Sequence, residues 1–180
     1  VTRANLIKAD IWAKVIWGDI GNPELLASDL QENYNIDLKD LLNVRTFLDH
    51  NRIWETPKTV SKDRISSSSG AFAHRGVWIK NNEVEDNLLE HLQKWSTYVQ
   101  KFGLLIIELH TIPPEITANN LGNTAATAYD ATHGFSDQYI VEIDVLHKVA
   151  AEVGLFPDPL YFKKFPNTNY ATVSINLLKG

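Results

Sequence analysis

No cysteine and no methionine occur anywhere in the 180 residues. The first absence excludes disulfides, thiolate metal sites and cysteine nucleophiles together, so any chemistry here must use oxygen, imidazole or a bound cofactor. The second extends to the initiating residue, which points to a chain whose Val1 is not the start of its gene. Long apolar runs are missing too. Nothing approaches the roughly 20 residues needed to span a bilayer, and Val1 to Asp10 lacks the apolar stretch of a signal peptide. A soluble, cytoplasmic protein with no membrane partner is expected. Positive charge is also in deficit: 17 basic against 22 acidic side chains leave a net charge of −5. That balance argues against a nucleic-acid partner held by the overall field. The sequence has no GxSxG elbow, no GxxxxGK[ST] loop and no GxGxxG turn. The serine-hydrolase, P-loop and complete dinucleotide-binding readings therefore lose their main support.

What is present suffices for a core. A globular chain of this length buries roughly 70% of the surface its unfolded form exposes, and 44% of the residues are hydrophobic. One α/β domain over residues 1–180 is expected, alternating strand and helix. Asp10 to Ile16, running into Trp17 and stopped by Gly18 and Asp19, reads as a short buried strand leading into a turn. Asn22 then suits a helix N-cap, Pro23 the first helical position and Glu24 the first turn, with Leu25, Leu26 and Leu30 on one face. Leu38 to Leu48 fits helix or strand, and Val44, Thr46 and Phe47 favour an extended segment ending near Asp49. Trp54 to Gly76 holds Pro57, the serine run Ser66 to Ser69 and Gly70, with little periodicity, and is expected to be a loop or lid.

Asn82 and Glu85 form a capping box for a helix that carries Val84, Leu88, Leu92, Trp95, Val99 and Phe102 and stops at Gly103. Leu104 to Leu109, broken only by Glu108, has the pattern of a strand covered on both faces. Ser136 can cap a helix through Ile140, Ile143, Leu146, Val149 and Val153 to Gly154. Tyr161 to Phe165 and Tyr170 to Leu178 read as a closing hairpin, the latter alternating as a half-buried strand does. The expected sheet is mostly parallel with an antiparallel C-terminal hairpin.

In open α/β sheets ligands bind beyond the carboxyl ends of the strands, and the chemically loaded residues fall there repeatedly. Gly18-Asp19 follows the first expected strand, although turn chemistry explains that pair equally. Asp49-His50-Asn51-Arg52 follows the second, as a solvated cluster or a site. Glu108 must be paired, protonated or at the strand's open end, and His110 could pair with it or bind a ligand. Tyr129 to Gln138 concentrates donors, acceptors and aromatics, and its imidazole and oxygen ligands suit iron, manganese or zinc. No HExxH or EF-hand pattern supports the metal, and Ser136 and Asp137 have competing work as helix caps.

The stretches VIWGDI at 15–20, VRTFLDHNR at 44–52 and Gly103 to His110, followed by a hairpin, resemble the later two thirds of a class I S-adenosylmethionine-dependent methyltransferase. LDHNR, IELHT and ATHGFSDQY together are similar to the C-methyltransferase domains of polyketide synthase assembly lines, including a metal-dependent branch. The resemblance implies a Rossmann-like sheet lacking its N-terminal strands, with the glycine-rich first loop before Val1. It implies S-adenosylmethionine as cofactor, bound near Gly18 and Asp19, with Asp19 on the adenine and the segment around Phe47 and Asp49 flanking the methionine moiety and the acceptor. His133 and Gln138 would be the metal ligands, with Asp130 and Asp49 as further candidates. His50 or His110 would be the base, and the acceptor would be an acyl group on a carrier protein or a small molecule. Two other readings are a non-catalytic module of a larger assembly, and a metal-dependent hydrolase or lyase using His50, His110 and His133.

Overall fold

The computed structural model describes the chain apart from residues 62 and 131–136, with the backbone alone at 129 and 130. Its first helix, α1 (Thr2–Lys8), buries no residue. Residues 11–19 form no strand, which corrects the strand expected from Asp10 to Ile16. Apolar side chains do not make a strand when no sheet edge takes up their backbone hydrogen bonds. Ile16 packs against the core, whereas Trp17 remains 75% exposed.

The second helix, α2 (Pro23–Tyr34), starts where its signals say: Asn22 accepts from the Leu25 N–H at 3.1 Å. Leu30 is buried and Leu26 packs against the core, while Leu25 stays outside. The ambiguous segment from Leu38 divides. Asp37 accepts from the Lys39 N–H at 2.9 Å and caps a single 3-10 turn, Leu38–Asp40, anchored by the buried Leu38. The strand β1 (Asn43–Thr46) follows. It stops short of Asp49 because Phe47 turns left-handed, with φ 55°, after its N–H bonds the Ile107 carbonyl at 2.8 Å.

Residues 54–71 hold no helix or strand among the described residues. Arg64 ties them down, donating to Asp86 at 2.6 Å and to Glu152 at 2.8 and 2.5 Å, and Ser66 donates to Glu85 at 2.5 Å. Beyond them β2 (Phe72–His74) and β3 (Val77–Ile79) form a two-stranded hairpin within and just past the expected loop. Strands of three residues are too short to register as alternation. The third helix, α3 (Asn81–Ser96), begins without the expected capping box: Lys80 is its N-cap and makes no side-chain bond. Glu85 is instead fully buried and receives the strap that carries Ser66.

The centre of the main sheet is β4 (Leu104–Leu109), introduced by Gly103 at φ 89°. After it come α4 (Pro114–Asn119), α5 (Ala126–Asp130) and α6 (Ile143–Glu152), then β5 (Phe156–Pro157), β6 (Lys163–Phe165) and β7 (Val173–Lys179). The order across the sheet is β1-β4-β7-β5, with β6 also on β7. Among the described residues only β1 and β4 are parallel, Asn43 lying opposite Leu104, and β7 is antiparallel to β4, β5 and β6. The sheet is mixed, but among the described residues parallel pairing is confined to one strand pair, which corrects the mostly parallel expectation. Nor is β4 equally covered on both faces: Leu104, Ile106 and Glu108 are buried, and the alternate residues half-buried. Val84, Leu88 and Leu92 of α3 and Val145, Leu146 and Val149 of α6 complete one core with Leu104 and Ile106. α6 begins at Ile143, and the expected cap Ser136 lies outside the described residues. The preceding Tyr139, Ile140 and Val141 are buried without being helical.

Candidate active site

The site forms where β1 and β4 end side by side. Glu108, on the buried face of β4, holds the 3-10 turn Asp49–Asn51 that follows β1. Its Oε2 accepts from the backbone N–H groups of Asp49 and His50 at 3.0 and 3.1 Å. Its Oε1 accepts from the Leu109 N–H at 2.7 Å and from His50 Nδ1. A carboxyl group placed in an apolar strand must be paired, and the partner is His50 where His110 was the neighbour considered. Since His50 Nδ1 donates to Glu108, the neutral ring keeps its lone pair on Nε2. Asn51 Nδ2 donates to that nitrogen at 3.0 Å, and Asn51 Oδ1 accepts from Gln138 Nε2 at 3.2 Å. His50 and Glu108 are 3% and 4% exposed. The void they border, closed also by Arg52, His110 and Tyr139, is about 10 Å³, room for one water at most.

Asp49 faces the other way, toward α3. Its Oδ1 accepts from Arg45 and from His91 Nε2, the latter at 2.9 Å, and the Arg45 guanidinium lies 4.1 Å from the centre of the Trp95 ring. Burial pushes the Asp49 carboxyl up, but the Arg45 charge, the His91 hydrogen bond and Arg52 outweigh it and hold it at about 2. Burial lowers both Arg45 and His91 and brings Arg52 down to about 10. Arg52 spans the gap between elements, donating to Asn87 at 2.6 Å and to the Asp49 carbonyl at 2.8 Å.

The other predicted residues divide between this centre and its surroundings. His110 borders the same void but is fully buried, with Nδ1 on the Val141 carbonyl at 3.0 Å and Nε2 on Ser174 Oγ at 2.6 Å. Burial lowers it to about 4, so it is neutral near pH 7 and poorly placed to accept a proton. Gly18 and Asp19 lie in the loop before α2 and follow no strand, and Asp19 accepts from the Gly21 N–H at 2.8 Å, the turn chemistry expected of that pair. Asp19 also lines a cavity of about 500 Å³ with Asn22, Arg52, Asn87, Glu90 and His91. Gly18 lines an adjoining one of about 380 Å³ with Asp19, Leu26 and Tyr34. Phe47 lines neither. The four expected groups therefore do not all converge: Asp49, His50, Glu108 and His110 share one void, and Asp19 stands apart behind Arg52, which lines both spaces. His133 lies outside the described residues. Gln138 is set beside Asn51, and among the described residues no three His, Asp or Glu side chains gather to hold a metal. His91 and Arg45 escaped the sequence reading; the available signal was a histidine on the apolar face of α3, between Leu88 and Trp95.

A family model described as the AprA MT2-like domain matches residues 1–176. The chain belongs to the AprA MT2-like methyltransferase family. This family is associated with polyketide and nonribosomal-peptide biosynthesis, and membership implies S-adenosylmethionine as methyl source. A search of curated proteins returned no match. Among the described residues no helix is long and apolar enough to cross a membrane. For an AprA MT2-like domain the cavity at Asp19 has a fitting size, since small-ligand sites run from about 300 to 1,000 Å³. Its wall carries Asp19, Glu24, Glu55 and Glu90 alongside Arg52 and Lys94.

Proposed function

We propose that this domain transfers a methyl group from S-adenosylmethionine to the acidic α-carbon of a β-carbonyl acyl thioester, with His50 as base. The observation that carries the reading is the pairing of His50 Nδ1 with the buried Glu108, which leaves Nε2 as the acceptor of a proton. Bound in the cavity at Asp19, the cofactor would supply an electrophilic methyl group. His50 takes the α-proton at Nε2, and Glu108 holds the ring's orientation and faces the imidazolium that forms, the arrangement of a carboxylate-supported base. Asn51 now occupies Nε2, so an acceptor reaches the base only after the Asn51 and Gln138 side chains give way. Arg52 and His91, which line the cavity and both hydrogen-bond Asp49, set the spacing between the two reactants. The acyl group arrives on a carrier protein's pantetheine arm or as a small thioester. No step is assigned to a metal.

The test is methyl transfer by the purified domain to a β-ketoacyl thioester, followed by mass spectrometry of the product. His50→Gln should lower turnover by about 10²- to 10⁴-fold, the usual reach of general base catalysis, with affinity for the cofactor retained. Glu108→Gln should lower it less, because an amide oxygen still accepts from Nδ1. Wild-type turnover in His50→Gln would remove the base from the scheme.

A further inference from the structure

The His50 and Glu108 pair is covered from outside, and the cover hangs from the small β2–β3 hairpin. Asn51 Nδ2 divides its two hydrogens between the Phe47 carbonyl, at 3.2 Å, and His50 Nε2, while Asn51 Oδ1 is held by Gln138. Gln138 stands between two neighbours that are held very differently. Tyr139 is fixed inward: its N–H donates to the His50 carbonyl at 2.9 Å, its ring centre lies 5.1 Å from that of Trp54, and it is 1% exposed. Asp137 is held from outside, by the tip of the hairpin. Its Oδ1 accepts from the Arg75 N–H at 3.2 Å and lies 3.3 Å from His74 Nδ1, which also meets the Tyr139 hydroxyl at 3.0 Å.

The hairpin itself is anchored at one end. Phe72 and Ile79, paired at its base, belong to the core, whereas Val77 and Trp78 are 69% and 67% exposed. Both residues of its turn, Arg75 and Gly76, are left-handed, with φ 49° and 78°, a hairpin geometry that asparagine and glycine take most readily. Asp137 is left-handed too, at φ 51°. Two non-glycine residues in a sparsely populated region therefore meet across one hydrogen bond, and such conformations persist only where their surroundings hold them. The contact between the tip and Asp137 is open to water, the Asp137 side chain being 46% exposed, which marks it as a place of low-cost local opening.

We propose that the hairpin tip is the latch of a gate over His50: when His74 and Arg75 release Asp137, Gln138 swings off Asn51 about the fixed Tyr139, and Asn51 uncovers His50 Nε2. The use of the gate, to admit a methyl acceptor, rests on the reading of His50 as base; the movement rests on the contacts alone.

Diethylpyrocarbonate, which acylates the lone pair of a neutral imidazole, tests it, with labelled peptides identified by mass spectrometry. Asp137→Gly removes the carboxylate and suits the left-handed backbone, and His74→Phe keeps a ring without nitrogens. Each should speed labelling of His50 at least about tenfold, the effect of one or two lost hydrogen bonds on an opening equilibrium. His110, fully buried with both ring nitrogens bonded, stays unlabelled in any variant that folds. Labelling of His50 at the wild-type rate in either folded variant overturns the inference, as does wild-type labelling at the rate of free imidazole. Hydrogen exchange of the wild type needs no variant: the Arg75 amide should exchange at least about tenfold faster than the Tyr139 amide, and equal protection overturns the gate. Faster labelling in the variants of a domain that transfers no methyl group upholds the gate and defeats only the transfer reading.

Discussion

β1 and β4 lie side by side, parallel and in register, yet they live in different environments. β4 is flanked by β1 and β7 and buries Leu104, Ile106 and Glu108. β1 pairs only with β4 among the described residues, and its one fully buried side chain is Arg45, while Val44 is 55% exposed. The same inequality extends outward: α3 and α6 close over β4, whereas α1 buries nothing and Trp12 and Trp17 stand largely in water. Hydrophobic residues thus occur on both sides of the seam, but those on and over β4 are the more completely buried. The candidate base sits on that seam, where a carboxyl group from the well-packed strand pins the turn after the poorly packed one. The precision of the site is borrowed from β4.

Breaking the seam should do most. Glu108→Ala leaves two backbone N–H groups and His50 Nδ1 buried without their acceptor, and should destabilise the domain by about 3–5 kcal/mol, the cost of breaking a buried pair, in urea unfolding. Leu92→Ala, in the core behind β4, should cost about 2–5 kcal/mol. If it proves neutral, the packed half is not packed as described. Acid titration sharpens the contrast further. The unfolded chain protonates His110 as pH falls through 6.5, and the folded chain, held at about 4 by burial, does not. Stability should therefore drop by about 3 kcal/mol from pH 6.5 to pH 4 on this group's account, and His110→Gln should flatten that part of the slope. Asp49 acts in a separate window: its depressed value makes its contribution full above 3.8 and lost as pH falls toward 2. Gly103→Ala, at φ 89° with a new Cβ 2.8 Å from the Leu178 carbonyl, should cost about 1–3 kcal/mol. Val44→Thr, on the exposed side of the seam, should stay within about 0.5 kcal/mol.

Much of the scaffold was legible because its signals are local. Asn22 and Pro23 start α2, the 3.6-residue rhythm of Val84, Leu88, Leu92 and Trp95 marks α3, and the closing hairpin follows from turn residues between alternating runs. The errors share a cause as well. Val15, Ile16 and Trp17 have strand composition without a strand partner, and Glu85 sits at a capping position but is drawn to the strap instead. On β7 the alternation was read correctly as a half-buried strand, yet Ser174 and Asn176 turn inward and Val173 and Ile175 are the less buried set. Which face a strand buries depends on what lies above it, and here that is the hydrogen-bonded line from His147 to His110.

Composition and local signals alone determined a cysteine-free chain of mixed helices and strands, because propensities, caps and turns act over a few residues at a time; the methyltransferase reading came from the resemblance of its motifs. The pairing of His50 with Glu108, the separation of Asp19 behind Arg52 and the sealing of His110 were decided only by the tertiary structure. Each joins side chains from distant parts of the chain, and whether a charged or polar group is matched or stranded is settled when those parts pack and exclude water.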